Sequence, residues 1–561
     1  MDFKKHYNLN QGKFIRDPLF ILVLITSLLT IYLLSVQMRI GVPYFDVFNY
    51  LNNGLYFASM GNGNFLYLPP FIPLLNSLFF RMGYLSVNII FIISSILFII
   101  GVIGLYLLLN QRFNKIQSFT GSIIFISFPV VISWATSGGI DIPGVTFSIW
   151  ALYFAILGVK KDSRFLYLIL PLTMLSFITR YTSGLIILPI FLYIVINMES
   201  IKNIKKVFSG IIIEFILLIG AFLFLYASLG ITKNFYSLLI YVITSTTVGV
   251  GDVAYNPNSL FYIQNILNYI SISPFQGTYV QILNPSNAVP SILAYILALI
   301  VFVGIGLNVY RIISSKLISM RKISQFSALK ITLLLVLIPS FIITFNTVSF
   351  IVSEIIFFLV CFISYNLLKS SGYRTLDIDI TFFSWFGVYL IFHSVLAIKV
   401  DRYFITMAPA FTYFIVLGLN EFMSKIKPKI KNESLKSWSI YVVVALIFLS
   451  TSTATYIGHT PKKCFTLDIE DASNWLKEHD PNYKDKIIYS DYGPAASWYL
   501  KREINGGFPI SMTTDELFSK MLQKNKVDYY IDSLSKPKPE LAGYHIIKIT
   551  GQVAIYEKNI R

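Results

Sequence analysis

The chain has 561 residues, 55% of them hydrophobic and 13% charged, with a mean hydropathy of +0.68. That composition excludes a soluble globular protein. The net charge is +17, of which residues 1–457 supply 30 basic and 14 acidic side chains. These charges lie in short connections between apolar runs, which excludes a basic groove for nucleic acid.

The first apolar run, about Leu19 to Val36, follows Lys4, Lys5, Lys13 and Arg16 and has no small-x-small exit. It reads as a retained first helix rather than a cleaved signal. A first outer loop, about 38–86, follows. Its Pro70–Phe80 stretch is apolar but too short to cross, and reads as an interfacial helix. Further helices are expected at about 87–109, 118–134, 142–158, 165–179, 184–198 and 207–229. A long outer loop, about 230–288, precedes helices at about 289–310, 328–345, 347–367, 381–398, 404–420 and 437–457. The fold class is therefore a polytopic α-helical membrane protein of about 13 transmembrane helices, residues 1–457.

Residues 458–561 change composition. "DIEDASNWLKEHDP" and "DELFSKMLQKNK" read as helices, "DKIIYSD" and "VDYYIDS" as strands, and "YHIIKITGQVAIYEK" as a hairpin. They predict a small soluble α/β domain. The two cysteines, Cys361 and Cys464, fall at different depths and make no disulfide framework.

Threaded alternately, the chain places 24 basic residues on the N-terminal side of the membrane. The positive-inside rule makes that side cytoplasmic and the C-terminal domain extracytoplasmic. Six basic residues remain outside before residue 458: Arg39, Arg81, Arg180, Lys233, Lys399 and Arg402. Asp46, Asp141 and Asp401 accompany them, with Asp252 in the long loop. Cations and carboxylates at an outer surface suit a lipid-linked phosphate and a general base. Simpler readings compete. Asp141 opens a helix and suits its dipole, Arg180 and Lys399 suit headgroup anchoring, Arg402 can pair with Asp401, and Arg81 reads as an anchor. Glu214 and Glu354 lie mid-helix, where packing or lipid-tail roles fit better.

"PYFDVFNYLNNGLYFASMGNG" with "LYLPPFIPLL" resembles the first outer loop of GT-C glycosyltransferases, in the branch of protein O-mannosyltransferases and aminoarabinose transferases. Many members carry Asp-Glu there; this chain has Asp46-Val47. "GGIDIP" resembles the second outer Asp of that family, at Asp141. "FITRYTSGLIILP" resembles its basic turn, at Arg180. "KVDRYFITMAPAF" resembles its late motif, at Lys399, Arg402, Tyr403 and Pro409. The resemblance implies a polyprenyl (dolichyl-type) phosphate sugar as donor and a hydroxyl acceptor on a protein, glycan or lipid. It implies Asp46 as general base, Asp141 as its helper, and Arg180, Lys399, Arg402 and Tyr403 as phosphate-binding residues. Direct displacement by one base would invert the anomeric carbon.

The five histidines have no ligand spacing. A divalent ion held by Asp46, Asp141 and phosphate oxygens remains open, since hard cations need only oxygen ligands. Two alternatives stand beside the transferase. A lipid or polysaccharide transporter or flippase would need related halves, and none are visible. An oligosaccharyltransferase-like enzyme is suggested by "SDYG" at 490–493, which is similar to the Trp-Trp-Asp-Tyr-Gly signature with Tyr489 and Ser490 in place of both tryptophans.

Overall fold

Long runs without charge form helices here because hydrocarbon leaves the backbone no partner but itself. The computed structural model describes residues 17–63, 65–232, 235–236, 257–274, 279–319, 325–345, 347–369, 372–396, 398–426, 433–506 and 514–559. Lys233, Asp252, the N-terminal flank before Asp17 and most of the "KIKPKIK" run lie outside the described residues. Two compact units emerge. The first comprises residues 1–30, 96–135 and 140–460, the second 31–95, 136–139 and 461–561.

Each helix expected from the sequence has a helical counterpart. Among the described residues, eight helices are long and apolar enough to cross a membrane: Pro18–Ile40, Asn88–Leu109, Asp141–Lys160, Ile204–Ser228, Ile292–Ser314, Phe350–Leu368, Leu376–Val395 and Ser439–His459. Shorter apolar helices accompany them, including Ser163–Thr179, Tyr181–Ile196 and Ala328–Thr344.

In the first unit, the helix expected at 118–134 is two helices, Lys115–Ser127 and Pro129–Trp134. Pro129 lacks an N–H and forces Phe128 to an extended ψ of 131°, which ends the first helix. The 165–179 and 184–198 helices are shorter than expected. Each is entered through a 3-10 turn, Ser163–Leu168 and Tyr181–Ile186. Ile292–Ser319 packs on Ala408–Ile426 with backbones touching, because a Cβ at Gly304 would overlap the Gly418 carbonyl.

In the second unit, the helices Phe45–Phe57 and Phe71–Arg81 are present. A five-stranded sheet runs in the order β2-β1-β3-β5-β4. Its strands are β1 (Ile488–Ser490), β2 (Asn505–Gly506), β3 (Tyr529–Asp532), β4 (Tyr544–Thr550) and β5 (Val553–Lys558). β1 runs parallel to β2 and β3, and β5 antiparallel to β3 and β4. The fully buried β3 is central, as its apolar run requires. Helices Phe465–His479, Gly493–Leu500 and Asp515–Lys524 complete this small α/β fold. The β4–β5 turn falls at Gly551, as the sequence indicates, with φ +57°.

Candidate functional site

Asp141 is the first residue of the Asp141–Lys160 helix, and no side chain caps that helix from the preceding position. Its carboxylate lies where the helix dipole favours it, yet its partner is a side chain: Oδ1 pairs with the Arg180 guanidinium. Both side chains are buried, at 4% and 6% exposure. Asp141 Oδ2 has no hydrogen-bond partner. The pairing requires close approach, and Gly144 permits it. A Cβ there would lie 2.9 Å from Arg180 Cβ and 2.6 Å from Ser183 Oγ.

Arg180 sits in an extended residue, φ −152°, between the Ile169–Thr179 helix and the following 3-10 turn. Serine and tyrosine hydroxyls hold that turn. Ser176 donates to the Gly144 carbonyl at 2.9 Å, and Tyr389 donates to the Ser183 carbonyl at 2.7 Å. Arg180 Nε donates to Thr182 Oγ1 at 2.8 Å. The guanidinium carbon stands 4.9 Å from the Tyr403 ring centroid.

Tyr403 belongs to the 3-10 turn Asp401–Thr406. Arg402 flanks the same ring at 6.0 Å and lies over Trp134 at 5.2 Å. Tyr403 therefore has a guanidinium from each of two chain segments. Its other neighbour is His393, stacked at 5.0 Å and 24°. His393 Nε2 is 2.9 Å from Thr406 Oγ1. Lys399, half-buried, donates to the Leu396 carbonyl. Burial pulls its amine down to about 8.

Asp401, 2% exposed, accepts from Tyr269 at 2.6 Å and from Ser286 at 2.7 Å. Burial raises its carboxyl, and those two hydroxyls oppose the rise. Tyr262 also donates to the Val400 carbonyl at 3.2 Å. Tyr262, Tyr269 and Ser286 thus fasten the late motif. The structure brings Asp141, Arg180, Tyr403 and Arg402 into one chain of contacts, with Lys399 four residues before Tyr403. Sequence reasoning missed His393, Trp134, Tyr269 and Ser286. The richness of the long loop in Tyr and Ser was the signal available for the last two.

Asp46 belongs to the second unit, in the first turn of Phe45–Phe57. It is partly exposed. Burial raises the hydroxyls of Tyr67 and Tyr492, and the Asp46 carboxylate adds to the rise at each. Tyr492 meets Phe45 edge-on at 5.2 Å and Phe48 at 6.4 Å. Arg81 donates to the Phe57 carbonyl at 2.6 Å, so it closes the end of that same helix.

Among the described residues no three His, Cys, Asp or Glu side chains gather as a metal set. Arg180 already neutralises Asp141. A divalent ion fits these residues poorly, and no step below passes through one.

Residues 68–224 match the family described as dolichyl-phosphate-mannose-protein mannosyltransferase. No curated protein matches the chain in sequence. In fold, the chain is similar to ArnT from Cupriavidus metallidurans in the apo state. That alignment has a TM-score of 0.55 and 9% identity, over 96% of this chain and 97% of that one. ArnT bound to undecaprenyl phosphate aligns over the same shares with a TM-score of 0.54 and 10% identity. The apo oligosaccharyltransferase of Archaeoglobus fulgidus aligns with a TM-score of 0.51 and 12% identity, over 92% of this chain and 70% of that one. The chain thus shares the fold of these two proteins: a multi-pass helical part and a small C-terminal sheet domain.

Proposed function

We propose that this chain is a membrane glycosyltransferase that moves a sugar from a polyprenyl-phosphate donor to a hydroxyl acceptor. The observation that carries the reading is the pair of guanidiniums, Arg180 and Arg402, set on one ring at Tyr403. Two planar forks and the Lys399 ammonium match the oxygens of a phosphate leaving group. Asp141 holds Arg180 in place, and Tyr403 spaces the two forks. The match of residues 68–224 and the undecaprenyl phosphate bound by ArnT support the same donor class.

In the proposed reaction the acceptor hydroxyl attacks the anomeric carbon. The new C–O bond forms as the carbon–phosphate-oxygen bond breaks. The hydroxyl proton passes to a carboxylate, which we assign to Asp46. The electron pair leaves with the phosphate, where the cations stabilise it. One displacement inverts the anomeric centre. We place the N-terminus in the cytoplasm and the C-terminal domain outside, which follows from the distribution of basic residues. A transporter is disfavoured by the fold, and an oligosaccharyltransferase by the two missing tryptophans.

Membranes carrying the protein are to be incubated with a panel of radiolabelled polyprenyl-phosphate sugars, with and without EDTA. Label should pass to an acceptor from one donor. Asp46→Asn should lower that rate on the order of 100-fold while donor affinity holds. No transfer from any donor would remove the reading, and a normal rate in Asp46→Asn would move the base to another residue.

A further inference from the structure

A cavity of about 360 Å3 opens in the second unit. Its floor holds Met38 and Gly41, at the end of Pro18–Ile40, and Leu85 and Asn88, at the start of Asn88–Leu109. Both helices are long and apolar enough to cross a membrane. The floor therefore lies where hydrocarbon gives way to headgroups. One wall is a single face of Phe465–His479, on which Leu467, Glu470, Asn474 and Lys477 recur every three or four residues. Two hydrogen bonds fix wall to floor. The Cys464 N–H donates to the Ile40 carbonyl at 2.9 Å, and the Thr466 hydroxyl donates to the Val42 carbonyl at 2.7 Å. Gly41, at φ +82°, leaves no room for a Cβ beside Leu467.

Two lysines line this cavity. Lys477 Nζ is 3.1 Å from Asn474 Oδ1. Lys501 Nζ stands 3.2 Å from the centre of the Trp498 ring. Its backbone has φ +54°, a conformation lysine rarely adopts. Glu470 also lines the cavity; it accepts from the Tyr499 hydroxyl, and its carboxylate offsets part of the charge of both lysines. Desolvation lowers both amines, Lys501 to about 8; the charge of Lys477 adds to the depression at Lys501, and the Glu470 carboxylate opposes it at both. The lining thus carries two ammonium groups against one carboxylate, a net positive charge that a bound anion balances. An aromatic ring and amines at headgroup depth are the groups that meet lipid phosphate.

We propose that this cavity is a second phosphate-binding site, distinct from the donor site, that receives a phosphate headgroup of net negative charge at the membrane surface. Lys477 and Lys501 supply the charge and Asn474 a neutral donor, while the buried Trp498 ring holds the Lys501 ammonium in place. A membrane phosphodiester and a soluble phosphate present the same oxygens.

The test is thermal unfolding of the full chain in detergent, titrated with phosphatidylglycerol, phosphatidylcholine or inorganic phosphate. Phosphatidylglycerol should raise Tm where phosphatidylcholine does not. In Lys477→Gln/Lys501→Gln the apparent affinity should fall on the order of 30-fold, and Lys477→Arg/Lys501→Arg should keep it. Should the double Gln variant fail to fold, Lys477→Gln alone, on a solvated helix, should still lose several-fold. A shift with inorganic phosphate would identify a soluble ligand, and one with phosphatidylglycerol alone a lipid. Either supports the site. No anion-dependent shift, or an equal shift in the Gln variants, overturns it.

Discussion

Arg180 and Arg402 touch the same ring but stand in different surroundings, so replacing each by lysine asks a different question. Arg180 is buried against Asp141, and removing one partner of a buried pair costs about 3–5 kcal/mol. Asp141→Ala should therefore lower Tm and donor use together. Arg402 is only half-buried over Trp134 and Tyr403. Arg402→Lys keeps the charge and loses the fork. It should leave Tm in place and cut kcat/KM for the donor by about tenfold or more, an outcome read by donor titration at fixed acceptor. An unchanged donor KM would leave Arg402 as a packing residue. Lys399 supplies a pH test of the same cradle. Its amine titrates near 8 because burial disfavours the charged form. The cation is present below that pH and lost above it, so donor KM should rise between about pH 7 and pH 9. Lys399→Arg should flatten the profile. A profile unchanged by that substitution would take Lys399 out of the cradle.

The element that carries Asp46 is held by the C-terminal domain. Asn52 donates to the Pro494 carbonyl at 2.8 Å, and Tyr492 is wedged among Phe45, Phe48 and Phe465. Tyr492→Leu should lower kcat with little change in donor KM, while Tyr492→Phe keeps the ring and the rate. Equal kinetics in the Leu and Phe variants would show that this packing does not position Asp46. A second element reports on pH. Burial and the neighbouring Asp532 raise the Asp491 carboxyl above its usual value of about 4, against the pull of the Ser533 and Leu534 N–H groups. The folded state holds a proton that the unfolded state has released, so stability falls as pH rises from about 4 through the raised folded value. Asp491→Asn should flatten Tm across that window. Most of these elements are legible in the sequence, because apolar runs and the alternation of residues 458–561 report local structure directly. Pro129 was legible too, yet the expected helix ran through it, since apolar residues continue on both sides. The bond from Asn52 to Pro494 spans 442 residues, and local periodicity carries no signal for it. The same holds for Tyr269 and Ser286 on Asp401. Their partner lies more than 100 residues away.

At the scale of the molecule, two sets of arginines grip a tyrosine within the first unit. Arg180 and Arg402 flank Tyr403, and Arg112 and Arg311 flank Tyr373 at 5.8 and 5.3 Å. Arg112 is paired with Asp379 at 3.2 Å and Arg311 with Glu421 at 2.8 Å, and Tyr373 donates to Asn308 at 3.0 Å. That network is neutralised by its own carboxylates, as a structural clamp should be. Around Tyr403, Asp141 answers Arg180 while Asp401 is occupied by two hydroxyls. The phosphate reading needs the Tyr403 set to face the extracytoplasmic side, where lipid-linked sugars are presented without nucleotides. Tyr373 precedes the Leu376–Val395 helix and Tyr403 follows it, so a single crossing by that helix puts the two sets on opposite sides. The positive-inside rule assigns the Tyr373 side to the cytoplasm. A single cysteine at position 431 should resist an impermeant maleimide in intact cells, and one at exposed Lys524 in the C-terminal domain should react. The native Cys361 and Cys464 are replaced by serine first. Labelling of position 431 from outside would invert the map and place the proposed donor site in the cytoplasm, which the lipid-phosphate reading does not survive.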